Sequence, residues 1–256
     1  MRALSSQTST GQVVIHSRAR CRAVPTPTRL TRVVDEPVAP VIGVVGGSGG
    51  VGASTFAAGL ARLAAHAESV SRAVLVEIDP TSGGIDVLLG VEGVAGPRWS
   101  GLRLAGGRLE AAALAEGLPT WSSVAFVAAD VTPSADSVAQ LLPVARRVGP
   151  VVVDLPRWAA PARSAALTRC DLVVLITGCD VASIAGARSV AAGLGTGLRI
   201  ALIVRGGAAP LEVASLVGAP LVGRIPGDLR RLSPDPVTWP VPLRRVAVGV
   251  LDAWAG

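Results

Sequence analysis

Residues Gly46–Thr55 read Gly-Gly-Ser-Gly-Gly-Val-Gly-Ala-Ser-Thr, a composition suited to holding phosphate. An apolar run, Val41–Val45, precedes them, and an Ala/Leu-rich run follows. A strand, a glycine loop and a helix in that order make an anion cradle. The glycines let the backbone turn and approach the phosphates, and the helix start adds free N–H groups and a positive dipole end. The spacing Gly47-x4-Gly52-x-Ser54 is that of a phosphate-binding P-loop, with Ser54 at the magnesium-binding hydroxyl. The candidate nucleotide contacts are Gly47, Ser48, Gly49, Gly50, Val51, Gly52, Ala53, Ser54 and Thr55. One part of the pattern is absent: Ala53 stands where a lysine would reach the terminal phosphates.

Three acids complete the candidate chemistry. Asp154 ends the apolar run Val151–Val153. An acid at that point of a P-loop protein helps hold magnesium, directly or through water. The alternative for Asp154 is a helix cap or turn residue. Glu77 and Asp79 straddle Ile78, and alternate residues of a strand face the same way. One of the two carboxylates could orient or activate water while the other sits behind the metal. The alternative is a solvated acidic strand end. Cys21, Cys170 and Cys179 form no C-x-x-C pair, and His16 and His66 are isolated, so a zinc site or disulfide framework is not expected.

These groups need elements to position them. Short β-branched apolar runs predict strands at Val41–Val45, Ala73–Ile78, Ser123–Ala129, Pro150–Asp154, Leu172–Thr177, Arg199–Val204 and Leu221–Val222. Helical spacing predicts helices over Ser54–Ala67, Ala135–Val148, Pro161–Thr168, Val181–Leu194 and Leu211–Leu216, with shorter pieces at Ile85–Leu89 and Leu109–Ala115. Pro143 weakens the middle of the Ala135–Val148 stretch, and residues 90–121 carry little periodicity. Strands alternating with helices imply an α/β fold, a mainly parallel sheet with helices on both faces. Ligands of such sheets sit at the carboxyl ends of the strands, where the glycine loop, Asp79 and Asp154 all fall. Leu243–Trp254 ends the chain with an apolar helical face beside Arg244 and Arg245. It is read as covering the core, with a membrane-surface helix as the alternative.

The 256 residues carry a net charge of +6 with no lysine, half of them hydrophobic. That length fits a P-loop domain over 39–256 behind a disordered basic tail over 1–38, where Arg18, Arg20 and Arg22 could meet an acidic partner. No apolar run approaches the roughly 20 residues of a membrane span. No signal-peptide core stands at the N-terminus, so a cytoplasmic location is expected.

The loop Gly47–Thr55 resembles the deviant Walker A loop of the MinD/ParA ATPases, whose two lysines correspond here to Ser48 and Ala53. Val74–Gly90 resembles that family's second motif, with Asp79 at its hydrolysis-associated aspartate. Val151–Pro156 resembles its Walker B, and Cys170–Thr177 and Val222–Asp228 match further segments. The Gly-Gly-Val-Gly-Ala-Ser loop is similar to that of the CpaE/TadZ-like branch. The resemblance implies ATP and Mg2+ as cofactors, with Ser54 and Asp154 at the metal and Asp79 in hydrolysis. It places Arg205 and Pro226 around the base, Arg205 at a position where relatives often carry an asparagine. It also implies a homodimer that works with division, pilus or secretion proteins, with peripheral membrane contact at the inner face as an accompanying expectation.

Without the lysines the main-chain cradle persists, while hydrolysis is expected to be weak or absent: losing one well-placed donor costs about 10²–10³ in rate. Arg157 or Arg205 could supply the charge. Two other readings stay open. One is a pseudo-ATPase scaffold with an empty loop. The other is ParA-like binding to nonspecific DNA through surface arginines, although nucleic acid is not the partner that the motifs favour.

Overall fold

The computed structural model describes residues 39–66, 72–102, 110–228 and 233–255. The tail expected over 1–38, with Cys21 and His16, lies outside them, as do Ala67 and Leu109 at two expected helix ends and the side chain of Trp254. The strands are β1 (Val41–Gly46), β2 (Ala73–Glu77), β3 (Thr120–Trp121), β4 (Val124–Val127), β5 (Val151–Asp154), β6 (Leu172–Thr177), β7 (Ile200–Arg205) and β8 (Leu221–Ile225). The helices are α1 (Ala53–Ala65), α2 (Ile85–Leu89), α3 (Ala111–Gly117), α4 (Ala135–Val148), α5 (Pro161–Leu167), α6 (Val181–Ala192), α7 (Pro210–Val217) and α8 (Val241–Ala255).

The strands form one sheet in the order β3-β4-β2-β5-β1-β6-β7-β8, parallel except for β3. This is the α/β architecture that the sequence predicts. β1 runs down the middle, paired in parallel with β5 and β6. Alternate residues feed opposite faces: Val41 and Val45 join a core with α3 to α7, while Ile42 and Val44 join one with α1, α2 and α8. Burial on both sides explains why these strands are apolar throughout instead of alternating.

Two details, β3 and β8, depart from the expected elements, and two, α4 and α8, keep to them for reasons that packing supplies. β3 is an antiparallel two-residue edge strand inside the unreadable stretch. β8 continues to Ile225, with Gly223 packed so closely on Val246 that an added Cβ would lie 2.5 Å from its methyl. Helix α4 runs unbroken through Pro143, because Val138, Leu141, Leu142 and Ala145 are fully buried along its inner face. Helix α8 buries Leu243, Ala247 and Val250 in the second core, which occupies the apolar face a membrane-surface helix would need. No helix among the described residues is long and apolar enough to cross a membrane.

Candidate functional site

The carboxyl ends of β1, β2 and β5 open into a cavity of about 690 Å³. Its floor is the glycine loop, from Gly46 and Ser48 through Thr55. Its walls are Glu77, Asp79 and Thr81–Ile85 on one side and Asp154–Trp158 on the other. Gly52 caps α1 in the left-handed region at φ 90°, and Gly50 lies at φ 72°, positions where a side chain would be strained. Helix α1 has no side-chain cap and no acid in its first turn, so its leading N–H groups are left for an anion.

Gly47 lines the cradle from behind. Its N–H donates to the Ile176 carbonyl (2.7 Å), and it lies against α6, where an added Cβ would be 2.6 Å from Ala187 Cβ. Ser48 is tied to the same helix, its hydroxyl 2.9 Å from that of Ser183, which donates in turn to Asp180 (2.6 Å). The side chain at the first missing lysine therefore points back into its own subunit. Helix spacing could not have shown this link, since Ser183 is 135 residues away.

Asp154 is the most perturbed group. Burial pushes its carboxyl up to about 7; the Ser54 hydroxyl that bonds to it opposes the shift, and Glu77 and Asp79 add to it. Its Oδ2 is buried without a hydrogen-bond partner. An orphaned carboxylate oxygen beside the Ser54 hydroxyl, at the edge of a phosphate cradle, fits a magnesium shell. Magnesium keeps waters and phosphate oxygens and needs one or two protein groups. Among the described residues no cluster of three or more His, Cys, Asp or Glu is built to hold a metal unaided. The cap-or-turn alternative does not account for so buried an acid.

Glu77 is neither solvated nor free. It is fully buried and accepts from the Ile85 N–H (3.1 Å), the Ala129 N–H (2.8 Å) and the Ser82 hydroxyl. Burial raises its pKa against those three donors, with Asp86 adding to the rise. Trp99 Nε1 donates to the Glu77 carbonyl (2.6 Å), so the unreadable stretch after α2 serves to roof this strand end. Glu77 thus ties the loop carrying Asp79 to the end of β4. Asp79 is half-buried, and its Oδ1 accepts from the Thr81 N–H (2.9 Å) and hydroxyl (2.7 Å). It lines the cavity, in the wall opposite Asp154.

Arg205 and Pro226 lie outside this lining. Arg205 clasps the far side of the loop, Nη1 donating to the Gly50 carbonyl (2.5 Å) and Nε to the Gly227 carbonyl (2.9 Å). Arg157 is exposed on the cavity lip beside Trp158. Its carbonyl accepts from Arg163 Nη1 (2.9 Å), a buried guanidinium whose Nε and Nη2 are unpaired and whose pKa burial lowers. Neither Trp158 nor Arg163 carries a motif or periodicity that marks it in the sequence.

No family model matches the chain. An uncharacterized protein of Mycobacterium tuberculosis, known from two strains, is 40% identical over 180 residues, 67% of this chain and 50% of the relative. The chain therefore spans half the length of these relatives. Among solved structures, a ParA family ATPase from Chlorobium tepidum matches with a TM-score of 0.70 at 19% identity, over 86% of this chain and 98% of that one. The MinC:MinD cell division complex of Aquifex aeolicus matches at 0.67 and 18% identity, over 84% and 96%. The septum site-determining protein MinD from Pyrococcus horikoshii, complexed with Mg-ADP, matches at 0.63 and 19% identity, over 85% and 98%. The fold is that of the MinD/ParA P-loop NTPases.

Proposed function

We propose that the chain is a MinD/CpaE-like positioning protein related to the MinD/ParA ATPases, belonging to the CpaE/TadZ-like branch near the actinobacterial septum site-determining proteins. It binds ATP with Mg2+, hydrolyses it weakly or not at all, and helps place a division septum or a pilus or secretion assembly. The observation that carries this reading is the unpartnered Asp154 Oδ2 beside Ser54 at the edge of the glycine cradle. The main-chain amides of Gly49–Thr55 would hold the phosphates, and Ser54 and Asp154 would hold the metal. Asp79 would orient water. A bound Mg-nucleotide supplies the charge that Asp154 lacks. With Ala53 and Ser48 in place of cations, the charge that offsets the phosphates would come from Arg157, on the cavity lip, or from Arg205, bonded to the Gly50 carbonyl. An arginine presents donors only, so Arg205 cannot reproduce an asparagine's donor–acceptor contact with adenine.

Calorimetry of the full chain with ATP, with and without Mg2+, tests the reading. Binding is expected in both cases, tighter with the metal, with Arg205→Ala altering affinity and Asp154→Asn removing the metal's contribution. No heat and no thermal shift at millimolar ATP would leave the second reading, a nucleotide-free scaffold. The Ser48–Ser183 tie and the Arg205 clasp favour that second reading, because both keep the loop in place without a ligand.

A further inference from the structure

Helices α6 and α7 lie side by side on one face of the sheet, and their outer surface is apolar without cover from the described residues. Val181 is 84% exposed, Leu211 74% and Leu216 57%. Between the helices runs a groove of about 550 Å³ lined by Val181, Ile184, Ala185, Arg188, Ala192 and Leu216. Val181, Ala185, Arg188 and Ala192 recur at helical spacing and form the outward stripe of α6. Its small members allow another helix to approach closely. On α7, Glu212 sits one turn above Leu216 on the same stripe. The ion pairs among the described residues are Arg62–Asp235, Arg98–Asp86 and Arg146–Asp171. Arg188 and Glu212, one cation and one anion, flank the apolar groove without such a partner.

We infer that this face joins two copies of the chain back to back through α6 and α7. β6, β7 and β8 are parallel, so α6 and α7 both return in the opposite direction and run parallel to each other. A two-fold axis that lies in the plane of contact and bisects the line from Arg188 to Glu212 brings the two helix layers face to face. The Glu212 end of one copy then lies over the Arg188 end of the other, and each pair occurs twice. Val181 and Leu216 fill the grooves on either side. The same surface serves both copies, and its charges are complementary to themselves. The interface leaves the cavity free. It also reaches the cradle mechanically, because the inner face of α6 carries Ser183 and Ala187 against Ser48 and Gly47.

Sedimentation velocity on the full chain, without nucleotide, tests this independently of whether ATP binds. The wild type is expected to show a concentration-dependent dimer at micromolar protein. Leu216→Asp should make it monomeric with its far-UV circular dichroism unchanged, since Leu216 is over half exposed. Arg188→Glu and Glu212→Arg should each weaken the dimer on the order of tenfold by setting like charges together, and combining them should restore it. A wild type that stays monomeric to ~100 µM overturns the inference. So does a dimer indifferent to Leu216→Asp, or a double variant no tighter than either single one.

Discussion

At the scale of single residues, the site is governed by what surrounds Asp154. A carboxyl with a pKa near 7 in the folded chain and about 3.9 in the unfolded chain keeps a proton that the unfolded chain has released. Stability therefore falls as pH rises from about 4 to about 7, then levels off, by up to about 4 kcal/mol if Asp154 acts alone. Denaturant unfolding in EDTA across that range should show the fall, and Asp154→Asn should flatten most of it. The slope that remains belongs to Glu77, whose pKa is raised as well. Saturating Mg-ATP should flatten the wild type in the same way, because metal and phosphate stabilise the ionised form. An unchanged slope in Asp154→Asn would mean that this carboxylate is hydrated in solution. Residue types alone made Asp154, Ser54 and the glycines legible. They could not distinguish a solvated Glu77 from one held by three donors, because those donors come from Ser82, Ile85 and Ala129 on two other segments.

At the scale of elements, strands covered on both faces could be read directly, since burial demands uninterrupted Val, Ile and Leu. Helices with a wide apolar stripe were legible too, and α4 begins and ends where its periodicity does despite Pro143. β3 was not legible: two residues, Thr120 and Trp121, show no period, and their pairing is set by β4. The C-terminal helix is read from the sequence as core cover, although an apolar stripe beside arginines also suits a membrane surface. Packing decides it. Trp239, just before α8, stacks on Phe56 with centroids 5.7 Å apart, over Gly59, where any Cβ would meet its ring at 1.9 Å. Leu243, Ala247 and Val250 then close the same core. Leu243→Ala should lower unfolding free energy by about 2–5 kcal/mol, and removing residues 243–256 should give insoluble protein. A soluble truncated chain with an unchanged urea midpoint and lost liposome flotation would reinstate the membrane helix.

At the scale of the whole molecule, the net charge of +6 raises the question of DNA. Six arginines and two acids precede residue 39, so +4 of that charge belongs to the N-terminal stretch. In the folded part, many arginines hydrogen-bond to the protein itself: Arg72 to Ala115, Arg146 to Ala39, Arg224 to Gly207 and Arg244 to Val237, in each case to a carbonyl. The exposed Arg147, Arg157, Arg169, Arg188 and Arg245 sit on five separate segments. That is no stripe along which a phosphate backbone could be followed. Weak, nonspecific retention on DNA at low salt is therefore expected from the full chain. Its affinity should depend on salt with a log–log slope of about −4 or shallower, since each neutralised phosphate contributes about −0.9. Deleting residues 1–38 should abolish the retention. If the shortened chain still binds with a steeper slope, and only with ATP, the folded domain assembles a basic face that one copy lacks, and the ParA-like reading would displace septum or pilus placement.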